Sequence, residues 1–135
     1  MKIENVIREQ GMYVGTVVGN SMYPMLRSRR DTIIVRPCTG RLRQYDVALY
    51  KRGGKYVLHR VLEVRPEDYV IRGDNCLGKE YGIRDGDVLG VLTAFHRGEH
   101  QVSLESSWYK LYVQIWCKIF PLRLIAAVMF KVRKK

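Results

Sequence analysis

DVALYKRGGKYVLHRVLEV, residues 46–64, decides the fold. Two β-prone runs flank a Gly53-Gly54 pair. That pattern predicts an antiparallel hairpin, because a two-residue turn with both φ angles positive fits glycine and matches the twist of the flanking strands. Within the second run Lys55, Val57 and His59 share one face of the strand, and Tyr56, Leu58 and Arg60 the other. Further short runs are read outward from this hairpin: MYVGTVV (12–18), DTIIVRP (31–37, closed by Pro37), DYVIRG (68–73) and DVLGVLTAFHR (87–97). Turn signals separate them. The expected fold is mainly β, a coiled or barrel-like antiparallel sheet.

The chain of 135 residues is long enough for one such domain, and 47% of its residues are hydrophobic. The charge is uneven. Residues 1–107 carry 17 basic and 13 acidic residues, whereas residues 108–135 carry seven basic residues and no acid. The expected organisation is a β domain at 1–98, a polar linker at 99–107 (EHQVSLESS), and a basic, aromatic-rich helical tail at 108–135. Ser106 or Ser107 is placed to cap a helix that Pro121 kinks or ends. The longest uncharged run in the tail is seven residues, against the roughly 20 a spanning helix needs. Two placements of the tail stay open: packed on the sheet, or lying in an anionic membrane interface. Of the polyanions a basic end could meet, the membrane surface is expected rather than nucleic acid.

Cys38, Cys76 and Cys117 are odd in number and form no CxxC, so no disulfide framework, cofactor or metal site is expected. The opening MKIENVIREQ is charged and has no apolar signal core.

GNSMYPML, residues 19–26, raises the question of function, since it sets a lone hydroxyl on a glycine-flanked turn. Three weak signals follow it: His59 in a strongly apolar strand, the acid of IRGDNC (71–76), and Glu80 in GKEYG. Each alone is more often structural. Together and in this order they resemble the signal peptidase family of serine peptidases, in its Ser-His form. The boxes are Ser21-Met22-Tyr23-Pro24, then Asp31 ahead of a strand, Tyr45-Asp46-Val47 (with Tyr where the family has Gly), His59-Arg60-Val61, and Arg72-Gly73-Asp74-Asn75. The resemblance spans residues 15–92. Gly19-Asn20-Ser21-Met22 also resembles the nucleophile loop of the LexA-like self-cleaving peptidases, which share the fold and use a lysine base.

The resemblance implies a peptidase that cleaves a leader or signal-like peptide. Ser21 is then the nucleophile, with His59 rather than Lys55 as its base. Glu80 stands where the family has its third catalytic group, with Asp74 as the second candidate. The Ser21 N–H and the Asn20 amide are left to bind the oxyanion, since Gly19 supplies no hydroxyl. Met22 and Pro24 shape the turn and the substrate floor. The family's membrane anchor precedes the nucleophile box, but only about ten residues stand before the first strand, too few to span at 1.5 Å per residue. A cytoplasmic site, peripheral to the membrane through the tail, is therefore expected. The rival from another class is a non-catalytic β module whose tail binds membrane or nucleic acid.

Overall fold

The computed structural model describes residues 2–17, 19, 21–23, 25–97 and 99–118. The elements run α1 (Ile3–Gln10), β1 (Tyr13–Thr16), β2 (Thr32–Arg36), β3 (Val47–Arg52), β4 (Lys55–Val64), β5 (Tyr69–Arg72), β6 (Glu80–Ile83), β7 (Val88–Arg97), β8 (His100–Ser103) and α2 (Ser107–Lys118). The chain divides into two compact units, Met1–Ser103 and Leu104–Lys135. It is a mainly-β domain of eight antiparallel strands followed by a C-terminal helix.

The 46–64 hairpin forms in the expected register. Arg52 pairs with Lys55, Tyr50 with Val57 and Ala48 with His59. Gly53 and Gly54 take φ of 59° and 79°, the conformation in which a Cβ is costly. The strand order is β1-β2-β7-β3-β4-β5-β6, with β8 added on β7. The path is open: no ladder joins β1 to β6 among the described residues, so the barrel-like closure expected from the sequence is not what these strands show. β7 is ten residues long and serves three partners. β2 runs along one edge, while β3 takes its first half and β8 its second.

Two segments differ from the sequence reading. Residues 99–107 were expected to be a linker, but His100–Ser103 continues the sheet as a short hairpin partner of β7. Backbone hydrogen bonding needs no apolar side chain, so a polar strand leaves little pattern. Ahead of β1, Ile3–Gln10 form helix α1, which buries Ile7 and ends at Gly11 with φ 77°, the left-handed close favoured by glycine.

Alternation along the strands builds the core. Ala48, Tyr50, Val61, Tyr69, Ile71 and Ile83 are all 2% exposed or less and cluster with Leu42. Each large aliphatic buried this way contributes about 1.5–3 kcal/mol relative to exposure. Tyr45, where the resembled family has glycine, has φ 73°. Its backbone is held by Tyr45 N–H to Val61 O at 2.7 Å and by the Arg60 guanidinium on its own carbonyl at 2.9 Å. The departure from the family pattern is thus a strained backbone position filled by a side chain, the kind of site that ordinarily selects glycine.

Candidate functional site

The serine loop links β1 to β2 and is tied at both ends. Val17 donates to Asp31 O at 2.9 Å, and Arg29 donates to Val17 O at 2.6 Å. The Asp31 carboxylate is fully buried and accepts from the Arg27 N–H at 2.8 Å and the Arg30 guanidinium at 2.6 Å. Burial pushes the Asp31 carboxyl up, but these bonds outweigh it and hold it below its ordinary value. Asp31 therefore works as a brace for the loop. Deeper in the loop Met22, Met25 and Leu26 are buried, so the turn carrying Ser21 rests on an apolar floor. Asn20 and Pro24 lie outside the described residues.

The loop is fastened to the turn after β5. Asn75 N–H donates to Ser21 O at 2.7 Å, and Asp74 N–H approaches the Met22 sulfur at 3.4 Å. Gly73 marks the closest approach. A Cβ there would stand 2.7 Å from Ser21 O, 2.8 Å from Cys76 Sγ and 3.0 Å from His59 Cδ2. Only a residue without a side chain lets the Ser21 backbone and the imidazole come this near to one point. The Cδ2 carbon of His59 therefore lies against Gly73, in the turn whose backbone is tied to Ser21 O.

The opposite ring nitrogen meets a different set of groups. His59 Nδ1 is 3.5 Å from Glu80 Oε1 and 3.3 Å from the Tyr50 hydroxyl. The Tyr50 hydroxyl donates to Glu80 Oε2 at 3.0 Å, and Arg52 donates to the same oxygen at 3.0 Å. These contacts decide a tautomer. A tyrosine has one proton, and Tyr50 gives it to Glu80. Its oxygen can then only accept, as can the carboxylate beside it. Both neighbours of Nδ1 favour a proton on Nδ1, which leaves the lone pair on Nε2. Burial lowers the His59 pKa below its ordinary value, with the charges of Glu80 and Asp74 offsetting part of that. That shift favours the neutral imidazole at pH 7. Burial, and then the hydrogen bond to Glu80, push the Tyr50 hydroxyl upward, so it stays a donor.

Ser21, His59 and Glu80 line one groove of about 620 Å³, together with apolar side chains such as Ile33, Val57 and Leu58. That volume is in the range of ligand-binding clefts. No hydrogen bond joins Ser21 Oγ to His59 among the described residues. Lys55 is exposed at the hairpin end of β4, about 13 Å along the strand from His59 at 3.3 Å per residue. It is not among the residues lining the groove.

Asp74 is engaged elsewhere. Its two oxygens take a forked pair of hydrogen bonds from Arg60, Nε to Oδ1 at 2.7 Å and Nη2 to Oδ2 at 2.9 Å, with both residues 3% exposed or less. Arg60 also reaches Met25 Sδ at 3.3 Å. The sequence reading missed Tyr50 and Arg52. Hairpin register held the signal: with Arg52 opposite Lys55, Ala48 falls opposite His59 and Tyr50 diagonal to it. Among the described residues, no three His, Cys, Asp or Glu side chains are grouped to hold a metal ion.

Compared with known proteins, the chain matches no family model, no curated protein and no solved structure. The likeness to signal peptidases accordingly rests on the sequence boxes alone.

Proposed function

We propose that the chain is a serine peptidase of the signal-peptidase and LexA-like fold type, cleaving a leader or signal-like peptide. The observation carrying this reading is the setting of His59: its Cδ2 lies against Gly73, in the turn hydrogen-bonded to Ser21 O, its Nδ1 lies beside Glu80 and Tyr50, and Ser21, His59 and Glu80 line one groove. A base with its lone pair on Nε2 is what a serine nucleophile requires.

In this reading His59 Nε2 takes the Ser21 hydroxyl proton as Oγ attacks the scissile carbonyl. The Ser21 N–H and the Asn20 amide bind the tetrahedral oxygen. The proton passes from Nε2 to the leaving amine, and the peptide C–N bond breaks. Water then attacks the acyl-serine ester with His59 again as base, releasing the acid and restoring Ser21. Glu80 and Tyr50 hold the imidazole in its tautomer and stabilise the imidazolium. The competing reading is a non-catalytic module. It is favoured by the absence of a hydrogen bond between Ser21 Oγ and His59, although such bonds are often long in the absence of substrate.

A serine-reactive phosphonate probe with intact-mass readout separates the two. The expected result is one adduct on Ser21 at pH 8, and none in Ser21→Ala, whose melting should match the parent. No adduct on folded parent protein ends the peptidase reading.

A further inference from the structure

Helix α2 is apolar on two sides. Ser106 caps it, accepting the Tyr109 N–H on Oγ at 3.2 Å. At 100° per residue, Tyr109 and Val113 share one side and are 8% and 4% exposed. Trp108, Leu111 and Ile115 fall within a narrow arc on another side, and are 81%, 50% and 51% exposed. A stripe of tryptophan, leucine and isoleucine facing water is costly unless something covers it. Tyr112 borders the stripe and stacks on Trp116, with centroids 6.0 Å apart and planes at 19°. Lys118 borders its other side.

Charge says what the cover is. From Trp108 to the last residue the sequence has seven Lys and Arg and no acid. A second copy would bring the same positive charge and be repelled. A nucleic acid would satisfy the charge but leave Leu111 and Ile115 in water. Among the described residues no helix is long and apolar enough to cross a membrane. We infer that α2 lies on an anionic lipid surface, with Trp108, Leu111 and Ile115 at the boundary of headgroups and acyl chains, and that the net positive charge of residues 108–135 favours that surface. This inference is independent of the peptidase reading.

The chain's two tryptophans, Trp108 and Trp116, both lie in α2, so fluorescence reads this helix directly. The test uses the full chain carrying Trp116→Phe, leaving Trp108 as the reporter. It is titrated with vesicles of phosphatidylcholine and phosphatidylglycerol in equal parts, or of phosphatidylcholine alone. Expected are a blue shift and protection from iodide with the anionic vesicles only, both fading as salt rises. Leu111→Ser and Ile115→Ser should each weaken partitioning on the order of tenfold. Lys118→Gln should weaken it about fivefold, and Lys110→Gln, on the far side of the helix and 3.5 Å from Glu105, much less. Because all four side chains are exposed, circular dichroism and melting of these variants should match the parent. Several results overturn the inference: no shift with anionic vesicles at low salt, an equal shift with phosphatidylcholine alone, a shift that tracks protein concentration without lipid, or an equal shift with a single-stranded oligonucleotide.

Discussion

Replacing Asp74 by Asn tests whether this acid holds the scaffold or serves the chemistry. Asp74 and Arg60 are 3% and 1% exposed, joined by two charge-assisted hydrogen bonds of 2.7 and 2.9 Å. Breaking a buried pair by removing one charge costs about 3–5 kcal/mol, because the remaining ion stays buried after losing its neutralising partner. Asn keeps one acceptor oxygen for the guanidinium, which places Asp74→Asn at the lower end, about 3 kcal/mol. With a urea slope of about 1.5 kcal/mol per molar, the midpoint should fall by about 2 M at unchanged slope. The double change Arg60→Met with Asp74→Leu should lose much less than the two single losses added, since apolar groups of similar volume can replace a buried pair without leaving a charge.

The assay pairs urea melts with kcat on protein that remains folded. Expected is a large loss of stability, with kcat per folded molecule falling much less than in Glu80→Gln. A midpoint shift under about 0.5 M together with a kcat loss of more than a hundredfold would refute the reasoning. Asp74 would then be the group orienting His59, and Glu80 a bystander.

Gly73→Ala puts a methyl 2.7 Å from Ser21 O and 3.0 Å from His59 Cδ2; displacement of either group by about 1 Å should lower kcat on the order of a hundredfold, read by peptide cleavage alongside a melt showing about 1–3 kcal/mol lost. The acid limb of kcat/KM should show an apparent pKa below the ordinary histidine value of about 6.5, since burial lowers that of His59. By the same sign, the unfolded chain takes up this proton first as pH falls through about 6.5, so stability drops in that direction; an acid limb above 7 would show that another group is the base.

Legibility differed between sheet and site for physical reasons. The six strands read from the sequence lie within a residue or two of β1 to β5 and β7, because each has β-branched or aromatic residues between turn formers. β6 (EYGI) has a glycine at φ 77° inside it, and β8 (HQVS) has one apolar residue among four, so neither carries an apolar alternation. α1 is only two turns long and mostly polar, with Ile3 and Ile7 as its periodic signal. In the site, sequence spacing could not say which acid stands at His59. Glu80 reaches it because β6 folds back on β5, with Glu80 opposite Ile71, a long-range pairing invisible in the local pattern. The partner of Asp74, by contrast, was in plain view as Arg60.

The sequence boxes are also less independent than their separation suggests. β4 and β5 pair Arg60 with Arg72 and Val61 with Ile71, so the next step of that register sets His59 opposite Gly73. The H-R-V box and the R-G-D-N box are therefore two sides of one ladder end. Adjacent residues on a strand point to opposite faces, and the two dipeptides divide accordingly: His59 meets Gly73 on the groove side, and Arg60 meets Asp74 in the buried interior. Asn75 then ties in the serine loop through Ser21 O. Packing and backbone bonding account for Arg60, Gly73, Asp74 and Asn75 without any reaction. They do not account for His59, which is kept mostly buried with its Nδ1 beside Tyr50 and Glu80 and its Cδ2 against Gly73. Burying a histidine whose pKa is thereby lowered opposes stability at acid pH and adds no packing that a leucine would not supply. The case for chemistry rests on that residue, so the pH profile and the Ser21 adduct weigh more than any further match of sequence boxes.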